Sequence, residues 1–232
     1  MAFELAVFDM AGTTVHDPDL VTQALTEALG AFGCQVSAAK VRLLMGYTKP
    51  AAIRSLLSEH DFAADDAQVD AVHADFVERM LHCYRNGNDV RPMAGAEDVF
   101  AQLRGAGIRV AVNTAFSRDI AETLIGRFGW RTRGLIDDAT SADQVAEGRP
   151  APDMIRQLML RNGVTDPRRV VKVGDTEVDI REGRRAGCGL VIAVTTGAYG
   201  REQLEPYQPD ALLDSLAELP PLLASFVPGQ TR

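Results

Sequence analysis

A chain of 232 residues, 46% of them hydrophobic, can bury one sizeable core, or one core plus a small accessory domain. Its net charge of -8 and pI near 5.0 argue against a nucleic-acid partner, because phosphate backbones are held mainly by Lys and Arg. Cys34, Cys83 and Cys188 are odd in number and widely separated, which argues against a disulfide frame or zinc site and reads as reduced thiols in a cytoplasmic protein.

The first apolar run, Leu5 to Phe8, has no basic segment before it and stops at Asp9, so it reads as a strand and not as a signal peptide. Between Thr14 and Arg91 no convincing strand follows. Helical periodicity is found instead at Leu20 to Phe32, Ala38 to Leu44, Ala51 to Leu57 and Ala67 to Tyr84. Asn86, Gly87, Asn88 and Pro92 are turn punctuation marking the return from this helical insertion. Thereafter helices are expected at Gly95 to Arg104, Arg118 to Phe128, Pro152 to Arg161 and Glu177 to Ala186. They alternate with strands at Ile108 to Asn113, Val170 to Val173 and Leu190 to Val194. Strands that are apolar throughout and separated by helices predict an α/β fold, a doubly wound, Rossmann-like parallel sheet covered on both faces. The expected domains are a core of residues 1–14 and 91–232 and a helical insertion of residues 15–90.

Other segments carry less. Ala186 to Gly200 is uncharged but shorter than the ~20 residues that span a bilayer, so no membrane partner is expected. Arg127, Arg131 and Arg133 read as a solvated surface, and Val227 to Arg232 as a frayed tail. His60, His73 and His82 lack metal-like spacing.

Four blocks carry the chemistry. They are Asp9-Met10-Ala11-Gly12-Thr13 after the first strand, Val110 to Thr114, Glu147 to Pro152 around Arg149, and Val170 to Asp179 with its paired acids Asp175 and Asp179. In this order and spacing they resemble the four motifs of the haloacid dehalogenase superfamily. The Ala at position 11 and Gly-Arg-Pro around Arg149 resemble its phosphonatase-like branch, whose first motif is Asp-x-Ala-Gly-Thr. The resemblance implies a cap domain closing over the site, and makes a cap-mediated homodimer plausible.

Strand ends of an open parallel sheet converge on the ligand, which brings Asp9, Thr114 and Asp175 together. Carboxylates gathered without partners repel, and a hard divalent cation held by oxygen resolves this; Mg2+ fits. The expected ligands are Asp9, Asp175 and the main-chain carbonyl of Ala11, with Asp179 acting through water or from behind. Taken alone, Asp175 and Asp179 would read as a helix cap and an exposed acid. Asp9 is the expected nucleophile, becoming an aspartyl phosphate. Thr114, the amides after it and those of the Gly12 turn are expected to hold phosphoryl oxygens, with Asn113 beside them and Arg149 as a bidentate cation.

Phosphatases of this superfamily carry a second Asp where this chain has Ala11, and Ala can neither protonate a leaving alkoxide nor activate water. In the phosphonatase-like branch the leaving carbon is stabilised by an imine to a cap lysine. Met45-Gly46-Tyr47-Thr48-Lys49 resembles that branch's Met-Gly-x-x-Lys, which gives Lys49 the imine role and places Met45 and Gly46 at the substrate. An ordinary lysine has only about one amine in two thousand neutral at pH 7, so the role requires burial or a nearby cation. Ala52 and Phe116 depart from the pattern, standing where it has a histidine and a tyrosine; His16 is either a substitute proton carrier or a turn residue. Three readings follow: a Mg2+-dependent hydrolase of phosphonoacetaldehyde or a close analogue, a hydrolase of a small phosphoglycolate-like ester, or a phosphate-binding protein with little turnover.

Overall fold

The computed structural model describes residues 3–226; the C-terminal tail expected at Val227 to Arg232 lies outside them. Eight strands are β1 (Leu5–Phe8), β2 (Val15–His16), β3 (Arg91–Pro92), β4 (Arg109–Thr114), β5 (Asp138–Ser141), β6 (Val170–Gly174), β7 (Leu190–Val194) and β8 (Ala211–Leu213). The helices are α1 (Leu20–Ala31), α2 (Ala38–Arg42), α3 (Lys49–Glu59), α4 (Asp66–Asn86), α5 (Ala96–Gly105), α6 (Arg118–Phe128), α7 (Asp153–Arg161), α8 (Glu177–Ala186), α9 (Arg201–Leu204) and α10 (Leu219–Ser225). Six strands form one parallel sheet in the order β5-β4-β1-β6-β7-β8. The chain winds outward from β1 first through β4 and β5, then through β6, β7 and β8. The reversal of winding falls at β1, with Asp9 immediately beyond its carboxyl end.

Strand alternation divides the core between the two faces. Ala6 and Phe8 of β1 pack with Val110, Val112, Val171 and Val173 on one face, while Leu5 and Val7 pack with Ala111, Val170 and Val191 on the other. Lys172 interrupts the apolar run of β6 and is fully buried. Helix ends follow local rules: α6 stops at Gly129 and α8 at Gly187, both left-handed, and α8 starts with a capping box in which Thr176 and Asp179 bond reciprocally.

The four-helix insertion α1 to α4 is joined to the core by two linkers that pair antiparallel, Val15 with Pro92 and His16 with Arg91. Its apolar face is continuous with the core, since Phe76 and Tyr84 of α4 pack on Phe116, with ring centroids 6.5 and 6.0 Å apart. The four strands and eight helices expected from the sequence are present with ends shifted by a few residues. Strands β5 and β8 and the β2–β3 pair were not expected. Asp138-Ala139-Thr140-Ser141 carries no apolar run, and two-residue pairs have no periodicity to read. Arg127 and its neighbours are exposed but engaged: Arg127 donates to the carbonyls of Tyr84 and Gly87, tying α6 to the end of α4.

Candidate active site

A cavity of about 280 Å³ opens at the carboxyl ends of β1, β4 and β6 beneath the insertion. Its walls include Asp9, Ala11, Gly12, Thr114, Arg149 and Asp175 from the core and Met45, Gly46 and Lys49 from the insertion. The turn after β1 is built for close approach. Gly12 has φ +88°, and a Cβ there would lie 2.5 Å from Asp175 Oδ2 and 2.9 Å from Gly197 Cα. Gly46 has φ +86°, and its Cβ would meet Thr176 Oγ1 at 2.4 Å, so glycine lets the insertion's loop touch the start of α8.

Behind the cavity lies a buried ionic cluster. Arg149 Nη1 is 2.5 Å from Asp9 Oδ1 and 3.0 Å from Asp179 Oδ1, and its Nε is 3.0 Å from Glu182 Oε2. Arg149 Nη2 donates to the carbonyl and side-chain oxygens of Asn113, at 2.9 and 2.6 Å. Lys172 Nζ reaches Asn113 Oδ1 at 2.7 Å, Asp179 Oδ1 at 3.0 Å and Glu182 Oε2 at 3.2 Å. Asn113 Nδ2 donates to Glu182 Oε1 at 2.8 Å. Asn113, expected among the substrate-binding residues, is therefore turned away from the cavity and braces Arg149 and Lys172. Alternation along β4 explains this, since Thr114 takes the cavity-facing position. The Arg149 fork, expected on phosphoryl oxygens, is occupied by Asp9, Asp179 and Asn113.

Asp9, Asp175 and Asp179 each bring a carboxylate oxygen within 4.8 Å of the others. Burial pushes Asp175 up to about 8, reinforced by the negative charges of Asp9 and Asp179. Burial also raises Asp9 against the pull of Arg149. For Asp179 burial acts upward too, but Arg149 and Lys172 outweigh it and hold the group below the usual carboxylate range. Four buried carboxylates, Asp9, Asp175, Asp179 and Glu182, face two buried cations, Arg149 and Lys172. The crowding of Asp9, Asp175 and Asp179 and the all-oxygen donor set match one hard divalent cation. Asp175 is oriented by Thr13 Oγ1 at 2.9 Å and by the Ala198 amide at 2.7 Å. Asp179 proves to be both the acid that bonds back to the N-cap Thr176 in the capping box and a member of the cluster, at 1% exposure.

Lys49 is 3% exposed at the first turn of α3. Its Nζ lies 5.4 Å from the Phe116 ring centroid and 5.9 Å from that of Phe76, with the Tyr47 carbonyl at 3.5 Å. Burial pushes its ammonium down to about 8; Asp9 opposes this and Arg149 adds to it. A helix N-terminus is also a poor place for a cation. Ala52 and Phe116 are buried, so neither departure from the resembled pattern places a polar group there. Lys172 and Glu182 were missed by sequence reasoning, although signals existed: a lone charge inside an apolar strand, and an acid three residues after Asp179 on the same helix face.

The family described as haloacid dehalogenase-like hydrolase matches residues 6–193. The phosphonoacetaldehyde hydrolase of Paraburkholderia xenovorans is 32% identical over 207 residues, covering 84% of this chain and 76% of the relative. The phosphonoacetaldehyde hydrolase-like protein of Oleispira antarctica superposes with a TM-score of 0.84 at 24% identity, over 97% of this chain and 92% of that one. CbbY of Rhodobacter sphaeroides, solved with xylulose-(1,5)bisphosphate, gives a TM-score of 0.79 at 29% identity, over 94% and 96%. Among the described residues no helix is long and apolar enough to cross a membrane. With its four motifs gathered at one cavity, the chain belongs to the haloacid dehalogenase-like hydrolase family, on its phosphonatase-like side.

Proposed function

We propose that this hydrolase cleaves the phosphorus–carbon bond of phosphonoacetaldehyde or a close analogue through an imine on Lys49 and an aspartyl phosphate on Asp9. The observation that carries the reading is Lys49, a buried amine pushed down to about 8 in the same cavity as Asp9 and Ala11. At that value about a tenth of the amine is neutral at pH 7, enough to attack an aldehyde. The iminium that results accepts the electron pair of the phosphorus–carbon bond as Asp9 attacks phosphorus, so the carbon leaves as an enamine and Ala11 need supply no proton. Thr114 and the Ala115 amide hold the phosphoryl oxygens, and Arg149 holds Asp9 in place. The Gly12 and Phe116 amides, expected beside them, donate instead to the Val15 carbonyl and to Thr114 Oγ1. Asp9, Asp175 and the Ala11 carbonyl would hold Mg2+, with Asp179 behind them. When bound, the ion neutralises phosphoryl charge.

The test is incubation with phosphonoacetaldehyde and borohydride, then peptide mass mapping. An adduct on Lys49 with loss of activity is expected; unmodified, fully active enzyme defeats the reading. A second reading, hydrolysis of a small phosphate ester, draws support from the likeness to CbbY with its bound sugar bisphosphate. Ala11→Asp separates the two. Under the imine reading it raises ester hydrolysis without improving phosphorus–carbon cleavage.

A further inference from the structure

Asp17 lies on the linker between β2 and α1, on the wall of the same cavity as Lys49. Its Oδ1 accepts the Leu20 amide at 2.7 Å, the bond of a helix cap. Capping α1 uses one oxygen only. The other, Oδ2, accepts the hydroxyl of Tyr84 at 2.6 Å. Tyr84 is fully buried, and its ring packs edge-on against Phe116, the same ring that Lys49 overlies. The two bonds come from different helices, α1 and α4, so the carboxyl is fixed in the wall of the cavity that also holds the amine.

Forming an iminium consumes a proton, because the aldehyde oxygen must leave as water. The side chains at positions 11, 52 and 116 are Ala, Ala and Phe, which donate none. Asp19 also lines the cavity but is exposed and paired with Arg42. The His16 ring has no hydrogen-bond partner among the described residues to hold it in position. Asp17 is held twice.

We propose that Asp17, seated by Tyr84, is the proton-transferring group for imine formation at Lys49. The inference rests on the imine reading above. The neutral Lys49 nitrogen forms the carbon–nitrogen bond as the carbonyl pair moves to oxygen. Asp17 protonates that oxygen and recovers a proton from the nitrogen. It then protonates the hydroxyl as the carbon–oxygen bond breaks, water leaves, and the nitrogen lone pair closes the iminium. The sum is one amine, one aldehyde and one carboxylic acid giving one iminium, one water and one carboxylate. Burial raises the Asp17 carboxyl above its ordinary range, against the pull of Tyr84 and of the Leu20 and Val21 amides, which favours the acid form this step needs. Lys49 in turn feels the Asp17 charge.

The experiment follows the rate at which borohydride captures the phosphonoacetaldehyde adduct on Lys49, beside phosphorus–carbon cleavage. Asp17→Ala is expected to slow capture about 100-fold, within the range general acids supply, and added formate to restore about tenfold of it, which a lost helix cap would not allow. Should Asp17→Ala fail to fold, Asp17→Asn and Tyr84→Phe carry the test, the first expected to match it and the second to lose roughly threefold to tenfold. Capture by the folded Asp17 variants within about threefold of wild type overturns the role of Asp17 and leaves the imine reading standing. No adduct on the wild type overturns both.

Discussion

Arg149 holds the carboxylate of Asp9: Nη1 lies 2.5 Å from Oδ1, and both side chains are nearly sealed from solvent, at 1% and 9% exposure. Asp9 Oδ2 has no hydrogen bond to protein among the described residues. The pair leaves one oxygen of the nucleophile anchored and the other facing the cavity. Replacing Arg149 by Lys substitutes a point charge for a planar fork that spans Asp9, Asp179 and Asn113. Arg149→Lys should lower kcat about 100-fold through misplacement of Asp9, with KM changed far less, as steady-state kinetics will show.

Lys49 couples activity and stability to pH. Its folded value of about 8 lies below the ordinary 10.5, so between these values the unfolded chain binds more protons and stability rises with pH. Below pH 8 the burial penalty is fully present. Lys49→Met should therefore stabilise the fold at pH 7 by up to roughly 3 kcal/mol, the gain shrinking above pH 8 and vanishing above about 10.5. Urea denaturation at several pH values checks this. In the wild type, kcat/KM for the aldehyde should rise through pH 8 as the amine becomes neutral.

The crowding of carboxylates around Asp175 predicts that Mg2+ stabilises the chain. At 100 times its dissociation constant the ion should add about 2.7 kcal/mol, seen as a raised thermal midpoint that chelation reverses. Asp175→Ala should show no response to Mg2+. A midpoint that still rises with Mg2+ would place the ion elsewhere.

Glu182 is fully buried and takes contacts from Arg149, Lys172 and Asn113. Removing one member of a buried ion cluster leaves the others uncompensated. Glu182→Ala should destabilise by about 3–5 kcal/mol, whereas a double variant that also replaces Lys172 with Met should recover part of the loss. A double-mutant cycle by chemical denaturation measures the coupling.

Much of this site is legible in the sequence. The strands and the helical insertion follow from apolar runs, turn residues and helical period, which are local properties of the chain, whereas the four motifs and Lys49 are read from the resemblance to the haloacid dehalogenase superfamily. Asn113 shows the limit. Its position at a strand end was readable, but whether its amide faces the cavity or the interior depended on which neighbour of the strand alternation took the cavity side. Lys172 shows another limit: a charge within an apolar strand signals a partner without saying which.

By itself the sequence determined that a carboxylate would follow the first strand, that an insertion would separate it from the remaining motifs, and that Ala would stand where an acid is common. Each is written in a contiguous stretch of chain and needs no contact between remote segments. Only the tertiary structure decided that Arg149 would meet Asp9 across 140 positions, that Asp17 and Tyr84 would join across 67, and that Lys49 would be buried. Ion pairing and desolvation depend on distance and surrounding dielectric, and both are set by how the sheet order and the packed insertion bring remote segments together.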